Sequence, residues 1–340
     1  MKALVYTEIK KVELHDIPEP KPGFGEVLVR VSATGICGSD VHGFLGKSAR
    51  RQPGLVLGHE TMGVVAGVGE GVDKSLLDQR VSVNPLISCG RCEACSAGRQ
   101  NVCRSWRLIG LDRLQGAFAE FFVIPARNVT PLPAHVPDSH AVMVEPLANA
   151  VHLIGHAPLQ SGFGTAVIFG GGTLGVCTLS VARTRGIRVI AVIEPNALRG
   201  KASLDLGAEN VLNPREKDIV GEVNRLTDGR GVDLGVDAVG LALTRQQSAA
   251  ICVRGGAALL LGLEDGPTSF DFMDLIRREI RLQCSYGFTE RDFAAAFDLI
   301  ARGQVNYSRW TDVLPLSEAQ GAFERLCSNP GDRIKIALKP

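Results

Sequence analysis

Thr165-Ala166-Val167-Ile168-Phe169-Gly170-Gly171-Gly172-Thr173-Leu174-Gly175 joins a continuous apolar run to a glycine-rich turn and the start of a helix. An apolar run without alternation suits a strand buried on both faces. The glycines satisfy G-x-G-x-x-G, a weak pattern alone, and the strand before and helix after give it meaning. Glycine at these positions permits the tight turn, lets backbone amides approach a pyrophosphate and allows the helix to sit close on the strand, its N-terminus facing the phosphates. Gly170, Gly172, Thr173, Leu174 and Gly175 are therefore candidate cofactor-binding positions. A second apolar run, Arg188–Ile193, ends in Glu194, about twenty residues beyond the glycines, where a carboxylate can bind both hydroxyls of a ribose. A 2′-phosphate would meet like charge there, which favours NAD over NADP. Arg199, on the same stretch, is able to contact the adenosine ribose or to accept a phosphate.

Outward from this point the alternation continues, with a helix at Ala197–Leu206, a strand at Asn210–Leu212, a helix at Glu216–Leu226 and strands at Val232–Ala238 and Ala257–Leu263. Strands alternating with helices imply crossover connections and a parallel sheet. Toward the N-terminus the texture differs. Short alternating runs at Lys2–Tyr6, Val27–Ser32, Thr61–Val68, Arg80–Asn84 and Phe118–Ile124, punctuated by Gly and Pro, predict a mostly β domain with little helical periodicity. Amphipathic helices at Arg291–Arg302 and Ser317–Cys327 and a last strand at Ile334–Leu338 form a tail expected to pack back onto that domain. At 340 residues the chain exceeds the size at which one hydrophobic core stops growing. The expected division is a β-rich domain over 1–150 and 288–340, with a cysteine-bearing lobe at 86–105, and an α/β nucleotide-binding domain over 151–287.

A formal net charge of +1 with no long run of one sign leaves no electrostatic footprint for nucleic acid or an acidic membrane surface. Small molecules and copies of the chain are the expected partners. The first residues lack the apolar core and cleavage site of a secretory signal, which favours a cytoplasmic protein. The uncharged stretch 157–182 contains the glycine run and several hydroxyl residues, so it reads as strand, turn and helix rather than as a membrane span. There are nine cysteines, an odd number, and in a cytoplasmic chain a cluster of them points to metal rather than to disulfides. Cys89-x-x-Cys92-x-x-Cys95, with Cys103 beyond, supplies four thiolates in a compact loop, the ligand count of a structural Zn²⁺. An iron–sulfur cluster is compatible with the spacing alone. Four ligands leave no open position, so this metal holds a lobe together and does no chemistry.

Elsewhere, Cys37, His59, Glu60 and Glu145 offer a thiolate, an imidazole and carboxylates, a set suited to a Zn²⁺ that keeps one position open. Gly58-His59-Glu60-Thr61-Met62-Gly63, followed by Gly69 and Val72 in register, resembles the zinc signature of the medium-chain alcohol dehydrogenases. Cys37-Gly38-Ser39-Asp40-Val41-His42, the four-cysteine lobe, Glu145-Pro146-Leu147 and the glycine motif stand in that family's order and approximate spacing, so the resemblance covers essentially the whole chain.

The resemblance implies a GroES-like catalytic domain and a Rossmann domain with a doubly wound parallel sheet. It further implies a catalytic zinc held by Cys37 and His59, with Glu60 and Glu145 supplying oxygen together or in exchange. Archetypal members carry a second Cys where this chain has Glu145. A glutamate there, with Glu60 beside His59, resembles instead the polyol, sorbitol and threonine dehydrogenase branch. The implied reaction interconverts a secondary alcohol or polyol hydroxyl and its ketone with NAD, in a homotetramer or homodimer. Zn²⁺ makes a bound alcohol far more acidic, as it lowers the pKa of bound water from 15.7 to about 7. Ser39 is placed to accept the alcohol proton, and the family relays it through the cofactor ribose to a histidine that His42 matches.

L-Threonine 3-dehydrogenase shares these motifs and is the nearest alternative. A non-catalytic NAD-binding or redox-sensing protein on the same fold is the alternative of another class; the joint presence of Cys37, Ser39, His42, His59 and Glu145 argues against it. Arg50 and Arg51, beside the site, weigh toward a polar or anionic substrate.

Overall fold

The apolar run that opens the glycine motif lies inside a six-stranded sheet ordered Val211–Leu212, Ile187–Ile193, Gly164–Phe169, Val232–Asp237, Cys252–Leu260, Arg281–Cys284. Every pairing in it is parallel. The first strand in the chain is central, the next two lie to one side and the last three to the other, which is the doubly wound Rossmann order. Val167, Ile168, Val192, Leu234 and Val236 are buried, as strands covered on both faces require. The strand expected at 257–263 instead starts at Cys252 and ends at Leu260. Arg254-Gly255-Gly256 interrupts its apolar run and hides its first half in the sequence.

In this computed structural model the described residues are 1–158, 164–264, 266–328, 331 and 333–340. Residues 159–163 of the uncharged stretch 157–182 lie outside them. No helix among the described residues is long and apolar enough to cross a membrane. The chain divides into two compact units, Met1–Glu145 with Thr289–Pro340, and Pro146–Phe288.

The spine of the first unit is the strand Glu26–Gly35. It pairs antiparallel with Glu60–Val68, with Phe121–Pro125 and with Lys335–Lys339. Gly35 faces Glu60 on one side and Ala337 on the other. This register brings Glu60, the C-terminal strand and the residues just after Gly35 together at one strand end. Lys335–Lys339 lies beside the parallel strand Thr311–Pro315, so the tail does return to the β-rich unit. Apolar clusters among the described residues of this unit include one of Val27, Val29, Val65, Val81, Phe122 and Ile124, and another that includes Tyr6, Leu57, Phe118 and Phe323. Phe44 joins the second, its ring centroid 5.0 Å from that of Phe323.

Sequence periodicity gave no helix after Cys37, yet Gly38–Phe44 is helical with Cys37 at its N-cap. The Asp40 carboxylate accepts the Cys37 backbone N–H at 3.1 Å, satisfying a donor that a helix start leaves without a partner.

His140, on the short helix Asp138–Ala141, is buried against the Tyr307 ring. Burial pushes its pKa down from 6.5 to about 4. The unfolded chain therefore binds a proton more readily than the folded one, so His140 stabilises the fold fully above pH 6.5 and ceases to as pH falls through 4. Folding stability should drop by about 3 kcal/mol across that window on this account alone. Urea unfolding of His140→Phe at pH 7 and pH 4.5 should show a smaller acid loss than the parent; an identical loss would remove His140 as the cause.

Candidate active site

Three donors meet at the end of the spine strand: Cys37 just after it, and His59 and Glu60 where the partner strand begins. One ligand atom from each lies within 4.8 Å of the others. His59 and Glu60 are 3% and 1% exposed, so they face no bulk water that would compete for a cation. His59 Nδ1 is 3.6 Å from Asp40 Oδ1. A carboxylate on that side leaves Nε2 as the nitrogen available to a metal and fixes the ring's orientation.

Glu60 meets Lys335, whose Nζ is 2.8 Å from Oε1 and 2.6 Å from Oε2 and also donates to the Ile36 carbonyl. Both residues are almost wholly buried. A Cβ at Gly35 would overlap Glu60 and crowd Lys335, which makes glycine necessary there. Burial disfavours the lysine's charge, but Glu60, Cys37 and Glu145 together raise its pKa above the ordinary lysine value.

Burial likewise opposes ionisation of Asp40 and His59. The field of His59 and Arg51 nonetheless holds Asp40 below the usual carboxylate range, and Asp40 with Cys37 holds His59 well above the usual histidine range. Counting Cys37 as a thiolate and His59 as neutral, the forms that bind a metal, four acids (Cys37, Asp40, Glu60, Glu145) gather around two fixed cations (Lys335, Arg51). The surplus of negative charge matches a dication, and the sulfur, nitrogen and oxygen donors suit zinc.

Glu145 is buried in the first turn of the helix Val144–Gly155. It acts on Lys335 but is not one of the three converging donors. Ser39 and His42, three apart on the Gly38–Phe44 helix, lie on one face of it. Arg51 donates to Ser39 Oγ at 2.9 Å. Both arginines beside the site thus have partners inside the chain: Arg51 is turned inward, and Arg50 pairs with Asp112 and stacks on Trp106. Neither is left as a free anion receptor. Asp40 and Lys335 were missed in the sequence. Asp40 has a local signal, an acid three residues after a cap position, whereas Lys335 has none.

The second donor set is Cys89, Cys92, Cys95 and Cys103, all mutually within 4.8 Å. Sulfur separations of 3.9 Å (Cys89–Cys95), 3.5 Å (Cys92–Cys95) and 3.7 Å (Cys92–Cys103) bracket the edge of about 3.8 Å of a tetrahedron with 2.3 Å Zn–S bonds. Backbone N–H groups of Arg91 and Cys92 lower Cys89 to about 6, preparing a thiolate, while burial raises Cys95 to about 11. The two-stranded pairing of Leu86–Ile87 with Arg107–Leu108 closes the base of this lobe.

In the parallel-sheet unit, Gly170 takes φ +97°, and a Cβ at Gly175 would overlap the Gly170 carbonyl, so strand and helix approach as the motif requires. Beside Gly172, the N-cap of the helix Thr173–Thr184, the space is open. Glu194 Oε2 accepts from the Gly171 N–H and Oε1 from the Asn196 N–H, each at 2.8 Å. Each carboxylate oxygen keeps a further lone pair for a ribose hydroxyl. Arg199 is turned toward Gly172, its guanidinium disfavoured by burial and favoured by the Glu194 charge.

Comparison with known proteins places the chain in a family. Residues 23–134 match the alcohol dehydrogenase GroES-like domain and residues 173–302 the zinc-binding dehydrogenase domain. The chain is 37% identical to L-threonine 3-dehydrogenase of Pyrococcus abyssi over 85% of its length and 83% of the relative's. It is 30% identical to sorbitol dehydrogenase of Bacillus subtilis over 100% of its own length and 97% of the relative's. A putative zinc-binding dehydrogenase from Sinorhizobium meliloti 1021, solved with NADP, superposes with TM-score 0.90 at 31% identity, covering 100% of this chain and 99% of that one. The chain belongs to the zinc-binding medium-chain alcohol dehydrogenase family, in its polyol and threonine dehydrogenase branch.

Proposed function

We propose that the protein is a zinc-dependent dehydrogenase that transfers hydride between a secondary alcohol or polyol hydroxyl and NAD, giving the ketone. The observation that carries this is the convergence of Cys37, His59 and Glu60 in a chain that also presents the glycine loop and Glu194. Residues 1–150 and 288–340 form the catalytic domain and 151–287 the nucleotide domain. Cys37, His59 and one carboxylate hold the catalytic metal; Glu60 is in place, and Glu145 exchanges with it. Cys89, Cys92, Cys95 and Cys103 hold a structural zinc.

When bound, the metal supplies the Lewis acidity that acidifies an alcohol, and the nicotinamide supplies the hydride acceptor. The chain's own groups do the rest. Asp40 orients the His59 ring, and Lys335 holds Glu60 in reach while balancing its charge. Ser39 Oγ takes the substrate proton, and His42, on the same helical face, passes it outward. Gly170, Gly172, Thr173, Leu174 and Gly175 receive the pyrophosphate at a helix N-terminus. Glu194, with Arg199 beside it, receives the adenosine ribose.

Glu194→Ala should raise KM for NAD by about 10- to 100-fold, the cost of losing hydrogen bonds to a charged acceptor, and narrow the preference over NADP. Steady-state kinetics with both cofactors check this, and an unchanged preference would contradict the role of Glu194.

A second reading has specific support. Several relatives at 36–37% identity are L-threonine 3-dehydrogenases, against 30% for the sorbitol enzyme. The deciding experiment measures NADH or NADPH formation by zinc-loaded protein on D-sorbitol, xylitol, 2,3-butanediol, propan-2-ol and L-threonine. Selective oxidation of a polyol or secondary alcohol with NAD establishes the first reading, and selective oxidation of L-threonine the second. No turnover, with zinc and NADH binding verified, favours the non-catalytic protein.

Nine cysteines without a disulfide fit a reducing cytoplasm. The edge strand Arg281–Cys284 and the exposed Leu263, Phe272, Met273 and Ile276 support assembly into a homodimer or homotetramer.

A further inference from the structure

Arg51 is only 6% exposed, although it is an arginine on an irregular stretch between a helix and a strand. Its stem lies against Gly43, where any Cβ would overlap it. Its Nη2 donates to Ser39 Oγ at 2.9 Å and stands 3.4 Å from Asp40 Oδ1, the oxygen that faces His59 Nδ1. Asp40 Oδ2 in turn holds the Cys37 N–H. One guanidinium therefore ties the hydroxyl proposed to move the proton to the carboxylate that orients a metal-binding histidine.

We propose that Arg51 is a positioning residue for proton transfer, fixing which way the Ser39 hydroxyl works; this rests on the role given to Ser39 above. A serine hydroxyl has one proton and two lone pairs, and a guanidinium only donates. Arg51 occupies one lone pair. The second is left to accept the substrate's proton, while the hydroxyl's own proton is left to depart. As the substrate O–H bond breaks, its proton goes to Ser39 Oγ and the serine's proton leaves toward His42, so Ser39 ends as it began. Arg51 cannot take the proton itself, and because the serine's proton leaves as the substrate's arrives, no doubly protonated, cationic oxygen forms beside the guanidinium. Lysine, a point charge at the end of a flexible stem, can balance Asp40 but does not hold its N–H bonds fixed on Ser39 Oγ as the rigid, planar guanidinium does through Nη2.

The test is a double-mutant cycle of Ser39→Ala with Arg51→Lys and Arg51→Gln, on the best substrate of the panel above. Zinc content, NADH binding and a crystal structure are determined for each variant. Arg51→Lys should lower kcat by about tenfold and Arg51→Gln by up to about a hundredfold, with KM nearly unchanged, two zinc ions per chain and Ser39 Oγ rotated away. In the Ser39→Ala background neither substitution should cost more than about threefold further. Should Arg51→Gln fail to fold, Arg51→Lys, which retains the charge facing Asp40, carries the test. Multiplying effects, a change confined to KM, loss of the catalytic zinc or an unmoved Ser39 would each overturn the proposal. A Ser39→Ala protein with full activity would instead refute the role of Ser39, a distinguishable failure.

Discussion

Cys37→Ser protein should carry one zinc ion per chain instead of two and lose at least about a thousandfold in kcat, while unfolding at nearly the parent's temperature. The activity loss follows from the chemistry. A serine hydroxyl does not ionise near neutral pH, so the substitution removes the sulfur donor and its charge, leaving His59 and one carboxylate. The metal's contribution to such a reaction is several kcal/mol, and each 1.36 kcal/mol is a factor of ten. The retained fold follows from the backbone. Cys37 is the N-cap of the Gly38–Phe44 helix, a position where serine is among the preferred residues, and it is only half buried. Elemental analysis, kinetics and thermal unfolding on one preparation separate the two effects. Full activity with a single zinc would show that Cys37 holds no catalytic metal.

Cys103→Ser should have the largest effect on stability. Cys103 is buried, and its sulfur is the fourth of a set that would leave the proposed structural zinc no spare ligand. Structural zinc sites of this type bind with about 10–16 kcal/mol, which becomes folding energy where the loop has little core of its own. Between Ser88 and Arg107 buried apolar side chains are few, and the antiparallel pairing of Leu86–Ile87 with Arg107–Leu108 is short. Loss of this metal should expose the segment to proteolysis between Cys89 and Cys103 and lower the melting temperature of the β-rich unit by many degrees. NADH binding, which the proposal places on the other unit, should survive. A variant as protease-resistant as the parent would mean that these thiols carry no load.

What the sequence disclosed, and what it hid, has a physical pattern. The glycine motif was legible because the turn at Gly170 and the helix contact at Gly175 each demand glycine at a fixed offset. The convergence of four cysteine sulfurs was legible because they lie within one short loop. His59 and Glu60 are adjacent, so one strand start carries both. Lys335 was not legible: it reaches Glu60 across 275 residues of sequence, through the pairing of the last strand with the spine strand, and no local pattern records a pairing of that separation. Arg51 read only as one of two arginines weighing toward a polar or anionic substrate, because the space made for its stem by Gly43 is a tertiary feature. The helix Gly38–Phe44 is too short for its period to show. Among the carboxylates, sequence left Glu60 and Glu145 equivalent; the strand register sets Glu60 beside Cys37 and His59 and leaves Glu145 at the start of a helix, near Lys335.

The most direct measurement is a zinc titration of protein stripped of its more labile metal by a chelator, following NADH formation and bound zinc together. Activity should be nearly absent with one zinc per chain and rise linearly to its full value as the second binds, with no such rise in Cys37→Ser. Full activity before the second zinc binds would contradict a zinc-dependent reaction at Cys37, His59 and Glu60.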